Sequence, residues 1–219
     1  HFAGRMINSP NDYDVVIKLI PTKNDNYFVC MRLCSIQDNR FAYRKNVLPT
    51  SMHPSQAALI VSLAKPYLKE TAQIMDPFCG VGTLLIERAH LVPAREIYAT
   101  DTYGDAITKG RENAAFAKTR INFIHRDFFD FRHDYKFDEL ITDMPVRNRQ
   151  TKAEMELFYE RFFDKAAEHL VSGGIIVMYS NEIGFVKKQI RLRVEYRLLQ
   201  ETCILDKKDF YLFVIRYED

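Results

Sequence analysis

Asp76-Pro77-Phe78-Cys79-Gly80-Val81-Gly82-Thr83 is the stretch whose reading decides the fold. It follows a short apolar run at residues 73–75 and opens residues 83–91, whose apolar spacing is helical. A strand ending in an acid, a glycine-bearing turn and a helix together make a ligand loop at the carboxyl end of a parallel strand. Gly80 and Gly82 let the backbone turn sharply and approach a ligand closely. The third glycine of a dinucleotide fingerprint is missing, because Leu85 stands there. That argues against a pyrophosphate and for a ligand held by the loop and by Asp76.

The same pattern recurs downstream. A strand at 96–99 runs to Asp101, 21 residues after Gly80, where a carboxylate can accept both hydroxyls of a ribose. Thr102 adjoins it. A helix at 105–118 and a strand at 121–125 lead to Asp127-Phe128, which could bind an adenine amine and cover its ring. Asp127 taken alone reads equally well as a turn cap. These acids fall at the ends of three successive strands, where ligands bind in such sheets. S-adenosylmethionine is an adenosine ligand without phosphates, and Asp76 can face its cationic amino-acid portion. Within this site Phe78, Gly80, Gly82, Thr83, Thr102 and Phe128 join the three acids Asp76, Asp101 and Asp127 as cofactor-binding candidates.

The fourth strand, 137–142, ends at Asp143, followed by Met144-Pro145-Val146-Arg147. An acid and a proline-stiffened turn suit transfer of a methyl group to an exocyclic amine. The lone pair of such an amine is delocalised into the base. Hydrogen-bond acceptors must hold it so that nitrogen can pyramidalise and attack in line. Asp143 need not be a strong base, since the proton leaves after nitrogen has become cationic. Asp143 and Pro145 are the catalytic candidates; the alternative for Asp143 is a cap on the next helix.

The remaining elements are a helix at 151–170 closed by Ser172-Gly173-Gly174, a strand at 175–179, a short helix at 182–190 and strands at 193–205 and 210–216. The last two are joined only by residues 206–209, so they pair antiparallel. Upstream, 54–68 reads as a helix with Pro54 in its first turn. Residues 15–20 and 27–33 read as a hairpin. The expectation is an α/β fold with a mostly parallel seven-stranded sheet, a C-terminal antiparallel hairpin and a small N-terminal β hairpin. Residues 1–46 form one region and 47–219 the main domain. Two strands alone are marginal in water, so the chain reads as cut from something longer.

Composition excludes less. The 219 residues are 47% hydrophobic and 27% charged, which argues against disorder. No run of ~18 apolar residues suggests a membrane span, and the N-terminus does not read as a signal peptide. A net charge of +2 says little about partners. Cys30, Cys34, Cys79 and Cys203 fit neither a zinc site nor a disulfide framework. Reduced thiols in a cytoplasm, with no metal, are the simplest reading.

Taken together, these motifs resemble the amino-methyltransferases with an (Asp/Asn)-Pro-Pro-(Tyr/Phe) motif, and more closely the THUMP-associated, UPF0020-type guanine-N2 RNA methylases. The loop at 76–83, Asp101 with Asn113, and Arg40-Phe41-Ala42-Tyr43-Arg44 followed by Leu48-Pro49-Thr50-Ser51-Met52-His53-Pro54 carry the likeness, over residues 40–219. It implies a Rossmann-like class I methyltransferase fold, S-adenosyl-L-methionine as cofactor and tRNA or rRNA as partner. It also implies that an N-terminal RNA-binding region contributes affinity. The chain departs from the motif at Met144 and Val146. Val146 stands where the family's aromatic ring stacks on the base, a contact worth ~1–3 kcal/mol, so either another residue supplies it or binding is weaker. Arg147 and Arg44 are the RNA-binding candidates. A DNA amino-methyltransferase and a non-catalytic cofactor- or RNA-binding module are the competing readings.

Overall fold

The computed structural model describes residues 9, 11, 13, 15–33, 39–205 and 210–219. The chain divides into two compact units, residues 1–41 and 42–219. In the first, β1 (Val15–Pro21) and β2 (Tyr27–Leu33) pair antiparallel from Val15↔Leu33 to Pro21↔Tyr27. The turn between them is closed by the Thr22 N–H donating to the Asn26 carbonyl at 2.8 Å.

The second unit is a seven-stranded sheet flanked by helices. Its elements are α1 (Pro54–Ala64), β3 (Gln73–Asp76), α2 (Thr83–Leu91), β4 (Glu96–Asp101), α3 (Gly104–Phe116), β5 (Asn122–His125), β6 (Phe137–Asp143), α4 (Lys152–His169), β7 (Leu170–Ser180), α5 (Ile183–Leu192), β8 (Tyr196–Leu205) and β9 (Phe210–Tyr217). The strand order is β5-β4-β3-β6-β7-β9-β8. Strands β3 to β7 are mutually parallel, and β9 lies antiparallel between β7 and β8. The doubly wound sheet with its C-terminal antiparallel pair is thus as the sequence indicates. The connection expected at 206–209 lies outside the described residues. No helix among those described is long and apolar enough to cross a membrane.

The order places β3 and β6 side by side at the point where the chain winds off in opposite directions. A crevice opens there at the carboxyl ends of the strands. The core behind it is largely aromatic: Phe128, Phe137, Tyr159, Phe162, Phe163 and Phe213 are buried around Met75, Leu140 and Met178. Burying each such side chain contributes about 1.5–3 kcal/mol. A buried ion pair crosses from helix to sheet. The Arg88 guanidinium donates to both carboxylate oxygens of Glu139, at 2.9 and 3.2 Å from Nε and 2.9 Å from Nη2. Its remaining donors reach the carbonyls of Val92 and Lys69.

Two boundaries differ most from expectation. The first helix stops at Ala64 and continues only as a 3-10 turn, Lys65–Tyr67. Pro66 has no N–H to donate and its ring crowds the preceding turn. Further on, Ser172-Gly173-Gly174 does not close α4. The helix ends at His169, and Leu170 already pairs with Phe137, so these residues lie inside β7. Gly173, at φ +79°, accommodates the register shift in that ladder.

Candidate functional site

Strand β3 ends on Asp76, whose carboxylate accepts the Phe78 N–H at 3.0 Å and is 1% exposed. The loop that follows is tied to β4: the Cys79 N–H donates to the Thr100 carbonyl at 3.0 Å, and the Thr100 hydroxyl to the Pro77 carbonyl at 2.9 Å. Gly80 and Gly82 have φ of +51° and +77°. Only glycine adopts such values readily, so the loop requires both. At Gly82 a Cβ would also come within 2.8 Å of the Phe123 ring. Helix α2 then starts at Thr83, with no side chain capping its first turn, and Thr83 and Leu84 line the crevice.

Asp101, at the end of β4, is fixed from two sides. Oδ2 accepts the Gly80 N–H and Oδ1 the Tyr103 N–H, both at 2.8 Å. Each oxygen keeps a further lone pair for a ligand hydroxyl. Asp143 ends β6. The turn after it is anchored by the Met144 N–H donating to the Tyr179 carbonyl at 2.9 Å, and by the Met144 side chain, which is buried in the core. Pro145, Val146 and Arg147 follow at the surface, with Val146 51% exposed.

These elements enclose a cavity of about 570 Å³. Asp76, Phe78, Gly80, Thr83, Asp101, Asp143, Pro145 and Arg147 all line it. Three carboxylates therefore face one space whose only lining cation among the described residues is Arg147, 3.9 Å from Glu182. Burial pushes the Asp76 carboxyl well above the ordinary range, and the Asp143 and Asp101 charges push it further. Desolvation raises Asp143 to about 7. The Thr83 hydroxyl is buried at the cavity wall without a hydrogen-bond partner. Sites of this kind favour a cationic ligand, which relieves the repulsion, over an anionic one.

The structure does not bring every expected residue there. Phe128 is 1% exposed and sits in the core against Phe162 and His169. A 3-10 turn at Phe128–Asp130 swings its ring inward and leaves Phe129 nearer the surface. Asp127 caps that turn, accepting the Phe129 N–H at 2.9 Å. Thr102 is exposed, and its carbonyl accepts from His125 Nε2 at 2.9 Å. Neither lines the cavity. Gly82 is not among the lining residues either. Arg44 also lies outside the lining residues: its Nη2 donates to the Met52 carbonyl at 3.3 Å and bridges to that of Ser51. It thus braces a segment that lines the cavity through Leu48, Thr50, Ser51 and Met52.

One residue does more than its motif suggested. Asn113 on α3 is fully buried, and its Oδ1 accepts the N–H groups of Lys45 and Asn46 at 3.1 and 2.9 Å. Its Nδ2 donates to the Asn46 carbonyl at 2.9 Å and points also to that of Val81. One amide therefore joins the segment entering the domain to the glycine loop. Among the described residues no three His, Cys, Asp or Glu side chains gather as a metal site.

The comparisons with known proteins agree with this geometry. Residues 42–202 match the family described as UPF0020, RMKL-like, methyltransferase domain. The chain is 31% identical, over 80% of its length and 54% of the relative's, to the tRNA (guanine(10)-N2)-dimethyltransferase of Methanothermobacter thermautotrophicus. It is 25% identical to the release factor glutamine methyltransferase of Lactococcus lactis, over 62% of this chain and 56% of that protein. The chain thus spans about half the length of these curated relatives. Its fold is that of TrmN from Thermus thermophilus, with a TM-score of 0.73 at 19% identity over 95% of this chain and 61% of that one. A strand-end acid, a glycine loop and a second strand-end acid around one cavity, in a class I methyltransferase fold, make S-adenosylmethionine the cofactor, and the chain belongs to the UPF0020 family of RMKL-like methyltransferase domains.

Proposed function

We propose that this domain methylates an exocyclic base amine in RNA, at guanine N2 of tRNA or rRNA. The observation that carries the reading is the sharing of one cavity by Asp76, Asp101 and Asp143. The first two fit the cofactor and the third fits the acceptor. The similarity to a tRNA guanine-N2 dimethyltransferase over most of the chain supports guanine as the base.

The residues present suit S-adenosylmethionine. Asp101 and the Gly80 loop would hold the ribose, Asp76 would face the amino-acid end, and the Thr83 hydroxyl, otherwise unsatisfied, would gain a partner. When bound, the cofactor supplies a methyl group on a sulfonium. Asp143 accepts hydrogen bonds from the target amine and fixes its nitrogen lone pair toward that methyl. Pro145 limits the turn to one shape, and buried Met144 holds it to the sheet. Arg147 contacts RNA phosphate at the mouth, while Arg44 acts through the segment it braces. Of the expected cofactor set, Thr102, Asp127 and Phe128 are not among the residues that line the cavity.

Asp143 accepts hydrogen bonds from the amine most strongly when ionised, since the protonated carboxyl accepts more weakly. Its carboxyl is raised from 3.8 to about 7 by desolvation. The expected kcat/KM therefore falls as pH drops below about 7, and Asp143→Asn removes that limb of the profile. The linkage to stability has the opposite direction. A raised carboxyl stabilises the fold most at pH below 3.8, and this contribution is lost as pH rises through 7.

The direct test incubates the chain with methyl-labelled cofactor and bulk tRNA, rRNA or DNA. Label recovered as N2-methylguanosine in RNA is the expected result. Label in DNA alone, or on the glutamine side chain of a release-factor peptide, would contradict it.

A further inference from the structure

We propose that a hollow on the far side of the catalytic turn is a subsite for the nucleotide next to the target base. This rests on the reading of the acceptor as an RNA base. The hollow has a volume of about 280 Å³, and Gln150, Leu157, Phe158 and Arg161 line it together with Pro145 and Val146. Pro145 and Val146 also line the cavity that holds Asp143, so the two spaces share this turn as a common wall. A base taken out of its stack and brought to Asp143 leaves its neighbour one backbone step away. The second space lies in reach of that step.

The chemistry of the hollow fits a nucleotide on both counts. Val146 and Leu157 are 51% and 54% exposed, and the half-buried Phe158 ring lies beside them. Together they offer an apolar face on which a base can stack without regard to its identity. At the rim, the Arg161 guanidinium lies over the Phe129 ring, 4.2 Å from its centroid. Among the described residues no carboxylate forms an ion pair with it. The ring restrains the guanidinium while its N–H donors remain able to bind a phosphate oxygen. The acid in this hollow, Glu154, is engaged elsewhere. Its Oε2 accepts the Thr151 N–H and hydroxyl at 2.7 and 2.9 Å and caps α4. A peptide suits the hollow less well. Much of its wall is α4, whose main-chain groups are consumed within the helix and leave no edge for strand-like pairing.

The stacking surface missing from the catalytic turn is thereby accounted for in part. Val146 gives up the ring that would lie on the target base, but it completes an apolar platform shared with α4. Affinity is distributed to the neighbouring nucleotide, and the domain is expected to favour an oligonucleotide over a free nucleoside.

The experiment measures steady-state methylation of free guanosine and of a short single-stranded RNA containing one guanosine, with wild type, Arg161→Ala, Arg161→Lys and Leu157→Glu. Both altered positions are exposed on α4, and thermal melts of each variant check the fold. The subsite predicts a rise of about tenfold in KM for the oligonucleotide in Arg161→Ala, comparable to losing a charged hydrogen bond. Arg161→Lys recovers part of it, and Leu157→Glu, which sets a charge against a base, produces a rise of its own. The preference of wild type for oligonucleotide over guanosine shrinks in each case. If wild type methylates the oligonucleotide and the variants show the same KM, the subsite is wrong and the RNA reading stands. If wild type methylates a peptide and no RNA, both fall.

Discussion

Replacing Asp143 with alanine lowers methyl transfer by roughly 10²–10⁴-fold, the range for losing a group that positions a proton-bearing acceptor, with cofactor affinity nearly unaltered. The separation of the two effects follows from position. Asp143 closes β6, whereas the cofactor's expected contacts come from β3, β4 and the loop between β3 and α2. Loss of the carboxylate leaves the amine without its acceptor, so its nitrogen spends less time aligned for attack. Single-turnover rates with saturating cofactor check the first effect, and calorimetry the second. A variant that no longer binds cofactor would move Asp143 out of the acceptor role.

Glu139→Ala is expected to destabilise the domain by about 3–5 kcal/mol, because it strands a buried arginine. Arg88 and Glu139 are 0% and 1% exposed, so the guanidinium left by the substitution stays out of water. Burial raises the Glu139 carboxyl while the Arg88 charge opposes that rise, as expected when desolvation and pairing compete. The double variant Arg88→Met/Glu139→Leu is expected to recover a large part of the loss, since no charge is left buried. Its recovery is incomplete, because the Val92 and Lys69 carbonyls lose their donors. Urea unfolding followed by circular dichroism checks both. A single variant as stable as wild type would mean that Arg88 finds water or another acid.

How much of this was legible in the sequence depends on what determined each feature. Acids at the ends of apolar runs stood out because parallel strands are continuous and apolar and their ends are polar. Asp76, Asp101 and Asp143 could be placed on one edge of a sheet before any geometry was known. The antiparallel pair β8–β9 followed from a connection too short for a crossover. What could not be read is set by tertiary packing. Of Phe128 and Phe129, adjacent and alike, the 3-10 turn decides which goes to the core. Ser172-Gly173-Gly174 carries helix-ending residues, but the ladder between β6 and β7 captures them. Arg44 looked like an RNA contact because it is basic and near the junction. Its loop partners lie seven and eight residues away, and they emerge only once the segment folds back. The Asn113 amide is similar: its partners at 45–46 lie 67 and 68 residues away in sequence.

The aromatic missing at Val146 shows the same division. Sequence reading identified the departure from the motif but not its consequence. In the structure Met144 is a core anchor and Val146 is a surface shared by two spaces. The turn keeps its acid and its proline, and Val146 lines both spaces.

The cavity at the ends of β3, β4 and β6 is expected to bind S-adenosylmethionine through Asp101 and the glycine loop. Calorimetric titration of the chain with S-adenosylmethionine, alongside Asp101→Ala of equal thermal stability, tests it most directly. Saturable one-to-one binding by wild type and loss of binding in the variant are the expected results. Wild-type affinity retained in Asp101→Ala, or no binding by a folded wild type, would contradict it.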